Sequence, residues 1–120
     1  MSKAIDALAG MVVHTRWDEL PAPVQRLARL VLLDTLGVIL GGSEQPEVVR
    51  LRAGLSAGAG SGATVLAPGW AVNDPGRAAI LNGVAGRAIE MCETHAKVSC
   101  QAAIQIVPDD DCYRDPARRR

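Results

Sequence analysis

Between positions 90 and 101 the chain carries a dense run of acid, base and thiol side chains: Glu90, Cys92, Glu93, His95, Lys97 and Cys100. Imidazole is the side chain that titrates near neutrality, so His95 is the natural proton carrier of the run. Glu90 or Glu93, within reach on the same segment, could hold it protonated. The competing reading of His95 is a surface histidine beside acidic neighbours. Lys97 is suited to clamp a substrate carboxylate as a point charge, against the plainer reading of a solvated lysine. Cys92, His95 and Cys100 form Cys-x2-His-x4-Cys. That is three ligands at irregular spacing with no fourth, so no metal site is assigned, and Cys92 reads as a small core residue.

These groups must be positioned by whatever precedes them. Asp74 is an N-cap candidate, and Pro75 fits the first helical position, where its missing N–H costs nothing. Continued at 100° per residue through the acidic run, a helix from here places Asn82, Gly86, Glu90 and Glu93 on one side. Leu81, Val84, Ala85, Ala88 and Cys92 fall on the other. Glycines next to carboxylates on one face let either a neighbouring helix or a ligand approach the backbone.

Three stretches carry a family resemblance, in order along the chain. DELPAPVQRLARLVLLDTLGVILGG, GATVLAPGWAVNDPGRAAILNG and AAILNGVAGRAIEMCETH together resemble the MmgE/PrpD family over about residues 5 to 108. That family includes 2-methylcitrate dehydratases, cis-aconitate decarboxylases and related carboxylate lyases and epimerases. The resemblance implies the N-terminal part of a larger helical domain. It implies chemistry that removes a proton next to a carboxylate and then expels water or carbon dioxide, or merely moves the proton. No metal and no organic cofactor is implied, and homodimers are.

Carried over residue by residue, the family's leading Asp falls on Glu90 and its Thr on Thr94. The acids between them fall on Cys92 and Glu93. The His of the family's His-Pro pair falls near Cys100 or Gln101, and no His-Pro is present. On this correspondence Glu90, Thr94 and His95 are the catalytic candidates, with His95 substituting for the absent histidine. Lys97 and Gln101 are the substrate-binding candidates.

Composition narrows the alternatives. Of the 120 residues 48% are hydrophobic, yet only 2% are aromatic and Phe is absent. Small aliphatic residues must do the packing, which favours close-approaching helices. Thirteen basic and thirteen acidic residues balance to zero. No electrostatic footprint for nucleic acid or an anionic membrane follows. The start of the chain lacks a signal-peptide pattern. The apolar run Leu27 to Leu40 is interrupted by Arg29 and Asp34 and falls short of the ~20 residues of a membrane span. Three irregularly spaced cysteines make no disulfide framework, which places the chain in a reducing cytoplasm.

The remaining elements read in sequence. Ser2 can cap a helix to about Val13, with Ile5, Leu8, Ala9, Val12 and Val13 on one face. Asp18, Pro21 and Pro23 mark a break, and a second helix runs from about Pro23 to Leu40. Its second half is apolar all round, so it requires several neighbours that this chain does not supply. Asp34 lies within that apolar surround and must find hydrogen-bond donors there. A short helix spans Pro46 to about Leu55. Gly58-Ala-Gly60-Ser-Gly62-Ala63 fits a nucleotide-binding fingerprint formally, but the flanking patterns are wrong and it reads as a flexible linker. Thr64–Leu66 and Trp70–Val72, around Pro68-Gly69, read as a small hairpin.

Beyond Pro108 the apolar periodicity stops and three arginines end the chain. Residues 109–120 are expected to be a disordered tail foreign to the family, as after a truncation or a shifted reading frame. The expected fold is all-α, with four to five helices and one small β-hairpin. The expected function is that of a truncated carboxylate lyase or isomerase that is inactive alone. A helical self-association module through exposed apolar faces is the alternative.

Overall fold

The computed structural model describes residues 2–55, 62–69, 72–94, 97 and 101–112. Five α-helices and one two-stranded ladder make up the regular structure of these residues, an all-α fold. They divide into two compact units, Met1–Leu30 and Val31–Arg120.

The first unit contains helix α1, Lys3–His14, a 3-10 turn at Trp17–Glu19, and the beginning of helix α2, Ala22–Gly42. Ser2 stands at the N-cap of α1 with extended backbone but makes no side-chain cap bond. No residue of α1 is buried, and Val12 and Val13 are 73% and 75% exposed. The turn into α2 is held by Gln25, whose Nε2 donates to the carbonyls of Trp17, at 3.1 Å, and Leu20, at 2.9 Å. The Arg29 guanidinium lies 5.3 Å from the centre of the Trp17 ring, close enough for a cation–π attraction.

The second unit holds the core. Its elements are the end of α2, helix α3 at Pro46–Leu55, strands β1 and β2, and helices α4, Pro75–Ala88, and α5, Ala103–Cys112. Strand β1, Ala63–Thr64, pairs antiparallel with β2, Val72–Asn73, in the register Ala63↔Asn73 and Thr64↔Val72. Helix α4 is the hub, touching α3, α5 and both strands. On one of its sides Ala78 and Leu81 pack with Ala63, Val65 and Ala67. On another, Ala85 packs with Ile39, Val48, Leu66 and Ile104.

Two glycines make this packing possible. A Cβ at Gly42 would overlap the backbone carbonyl of Ala85, so the end of α2 meets α4 at backbone distance. A Cβ at Gly86 would overlap the Ile104 side chain, so the missing side chain there makes the space that Ile104 of α5 fills against α4. With so few aromatic residues, stripping side chains at the crossings is how the helices reach interior packing density.

Several sequence expectations are corrected here. The side of α4 carrying Asn82 and Gly86 is not an open polar face. Ala78, Leu81, Asn82, Ala85 and Gly86 are all buried, and they form one i, i+3, i+4, i+7, i+8 stripe. Asp34 is exposed rather than enclosed. Leu30, Leu32 and Leu33 around it are exposed as well. Strand β1 ends at Thr64 rather than Leu66 and begins one residue earlier than expected, and Asn82 pairs the backbone at Thr64 and Leu66. Trp70 and Ala71, expected in the second strand, lie outside the described residues. Helix α5 continues through Pro108 to Cys112, so the first residues of the expected tail are helical. The glycine-rich run lies largely outside the described residues. It is flanked by helix α3 and strand β1, the reverse of what a nucleotide fingerprint needs.

Among the described residues no helix is long and apolar enough to cross a membrane.

Candidate active site

Helix α4 begins as its sequence dictates. Asp74 has extended backbone, and its Oδ1 accepts from Arg77 N at 3.0 Å, with Pro75 following at the first turn. Arg77 is placed by two further contacts, to Asp74 Oδ2 at 3.0 Å and to the Leu55 carbonyl at 3.2 Å. The start of α4 is thereby tied to the end of α3.

The other end departs from the sequence expectation. The helix stops at Ala88, Ile89 leaves helical geometry at φ −108, ψ 4, and Glu90 takes a left-handed conformation at φ 52. Glu90, Cys92 and Glu93 therefore do not continue the helix, and the single face expected for Asn82, Gly86, Glu90 and Glu93 does not exist. A non-glycine residue in a sparsely populated backbone region costs about 1–3 kcal/mol. Glu90 also lies just past the C-terminal end of α4, where the last carbonyls disfavour a negative charge.

Arg87 offsets part of this cost. Its Nη2 donates to Glu90 Oε1 and Oε2, each at 2.9 Å. Its Nη1 donates to Gln101 Oε1 and lies 3.6 Å from Cys92 Sγ. Gln101 Nε2 in turn reaches Thr94 Oγ1 at 3.4 Å. One guanidinium thus connects three of the expected site residues, Glu90, Gln101 and Thr94. The pair is open to solvent, with the Arg87 and Glu90 side chains 43% and 69% exposed. Such a pair contributes about 1 kcal/mol or less to stability.

Glu93 has a structural task. Its Oε1 accepts from Ala103 N at 2.8 Å, satisfying the first N–H of α5 with a carboxylate at the positive end of the helix. Its Oε2 is buried with no hydrogen-bond partner among the described residues. Cys92 donates its thiol to the Gly86 carbonyl at 3.1 Å and packs against the core around Ile104, the small core role expected for it. His95 and Cys100 lie outside the described residues. Lys97 is exposed.

Arg87 was missed by the sequence reading. Opposite charges at i and i+3 are a known helix-surface pairing, and that spacing to Glu90 was the available signal.

The MmgE/PrpD N-terminal domain matches residues 6–109. The match covers most of the chain, which therefore belongs to the MmgE/PrpD family. No curated protein and no solved structure matches it.

Proposed function

We propose that this chain supplies one wall of the active site of a carboxylate lyase or isomerase. The reaction is proton abstraction next to a carboxylate of a di- or tricarboxylate, leading to dehydration, decarboxylation or epimerisation. Glu90 is the base, Thr94 orients the substrate, and His95 carries the proton to or from the leaving group. Lys97 and Gln101 bind carboxylates. The scheme uses no metal or organic cofactor and operates in the cytoplasm.

The observation that carries this reading is the Arg87 hub. Glu90 just past the end of α4, Cys92 on the segment after it and Gln101 on the approach to α5 converge on one guanidinium, and Gln101 reaches on to Thr94, all within the family-matched region. Glu90 and Thr94 are both exposed. Proton-transfer groups in open water lack the orientation and water exclusion that supply most of an enzyme's acceleration. The 120-residue chain is accordingly inert by itself.

The test is a chimera in which residues 6–109 replace the N-terminal domain of an active family member. Turnover of cis-aconitate or 2-methylcitrate, followed by ultraviolet absorbance, is expected from the chimera and is lost on Glu90→Gln. The isolated chain is expected to show none. A folded but inactive chimera sinks the reading.

A second reading is favoured by a separate observation. Ile5, Leu8, Met11, Val12 and Val13 on α1, and Leu27, Leu32, Leu33 and Leu40 on α2, are all exposed. Exposed apolar surface on this scale marks interaction sites. Self-association through these helices, as a homodimer or larger assembly, is compatible with the lyase reading and is tested by the oligomeric state.

A further inference from the structure

Glu90 stands against two local preferences. Its backbone is left-handed at φ 52, and its carboxylate follows the negative end of α4. An asparagine or glycine at this position would remove both difficulties. An arrangement disfavoured twice and held by a single guanidinium points to a task other than stability.

The chemistry of Arg87 indicates the task. A guanidinium presents a fork of N–H donors that can receive a carboxylate through two parallel bonds, and here an internal occupant holds one prong of it, with both Glu90 oxygens at 2.9 Å from the single nitrogen Nη2. The Nη1 side is directed to Gln101 and Cys92. The Arg87 side chain is 43% exposed, so a solute can reach it. Glu90, with both oxygens turned onto Arg87, is not presented to a substrate C–H bond until it lets go.

We propose that Arg87 is the carboxylate-binding residue of this site and that Glu90 is its resident stand-in, displaced when an anionic substrate takes the guanidinium fork. This rests on the carboxylate reading above. Displacement serves two steps at once. The substrate carboxylate is fixed on Arg87, and Glu90 is released beside it as a free base. When Glu90 takes the proton from the adjacent carbon, the C–H electron pair passes into the bound carboxylate as an enediolate. The added negative charge then faces Arg87, where a fixed cation stabilises it most.

The experiment is a titration of the 120-residue chain with tricarballylate at constant ionic strength, read by NMR on the arginine Nε–Hε signals. The parent chain is expected to bind weakly through Arg87. Glu90→Gln removes the competing charge and is expected to tighten binding severalfold. Arg87→Gln is expected to lose it by about tenfold or more. Arg87→Lys keeps the charge but not the fork and is expected to lose most of it too. Circular dichroism melts confirm that each variant is folded.

Equal affinity in the parent, Arg87→Gln and Glu90→Gln chains overturns the proposal, as does the absence of any shift in the parent. The chimera separates this failure from failure of the lyase reading. An active chimera whose KM is unmoved by Arg87→Gln removes the proposal alone. A dead chimera with intact tricarballylate binding at Arg87 removes the lyase scheme alone.

Discussion

Asn82 Oδ1 accepts a hydrogen bond from Leu66 N at 2.8 Å, a side chain in α4 pairing the backbone of the hairpin sixteen residues earlier. Its Nδ2 donates to the Thr64 carbonyl at 3.0 Å. Val65, Leu66 and Ala67 are buried yet lie outside the strand ladder. Backbone groups there have to be satisfied, and one amide serves as a substitute strand.

Asn82→Ala would remove the partner of the buried Leu66 N–H and a partner of the half-buried Thr64 carbonyl. The expected loss is about 2–4 kcal/mol, read by urea or thermal unfolding. Asn82→Asp keeps the acceptor, loses the donor and adds a buried charge, so it is expected to be no milder. A change within about 0.5 kcal/mol for the alanine variant, the range of an ordinary surface substitution, would show that the amide pairing is not needed.

Glu93 separates two small changes. Glu93→Ala removes the acceptor for Ala103 N and is expected to cost about 1 kcal/mol, the usual value of a lost cap. Glu93→Gln keeps an acceptor and puts a neutral amide where Oε2 is now buried and unpartnered. It is expected to be neutral or stabilising in a thermal melt. If the glutamine variant melts lower than the alanine variant, the capping assignment is wrong.

Light scattering across a concentration series tests the exposed apolar helices. The chain is expected to run as a dimer or larger species. Leu33→Glu, on a side chain 68% exposed, is expected to shift it toward monomer with little change in unfolding midpoint. A monomer at every concentration, melting cooperatively, would remove the self-association reading.

Much of the fold was legible because local signals agreed with it. Helix α3 occupies the residues that Pro46 and the following apolar spacing predict. Asp74 and Pro75 open α4 as their capping chemistry requires. The end of α4 was not legible. Ala88-Ile89-Glu90-Met91 contains no glycine, proline or asparagine to mark a stop, so the helical pattern ran on into the acidic segment. What ends the helix is the left-handed Glu90 and its pairing with Arg87, which single-residue propensities do not encode. Asp34 failed for a different reason. Apolar residues on every side of a helix imply enclosure only when neighbours exist, and Leu30, Leu32 and Leu33 beside Asp34 are exposed.

The candidate site was legible in part. Glu90, Thr94 and Gln101 are brought together, but through an arginine the motif correspondence did not include. Glu93 turned out to secure α5.

The reliance of residues 64–66 on Asn82 also orders events in time. Asn82 lies in the middle of α4, so its amide has a fixed position only once that helix has formed. A two-residue ladder is too short to hold itself together in water. The expected order is that the hairpin consolidates after the helix, which folding and unfolding rates of point variants test. Destabilising changes at Thr64 and Leu66 should then speed unfolding, while those within α4 slow folding itself.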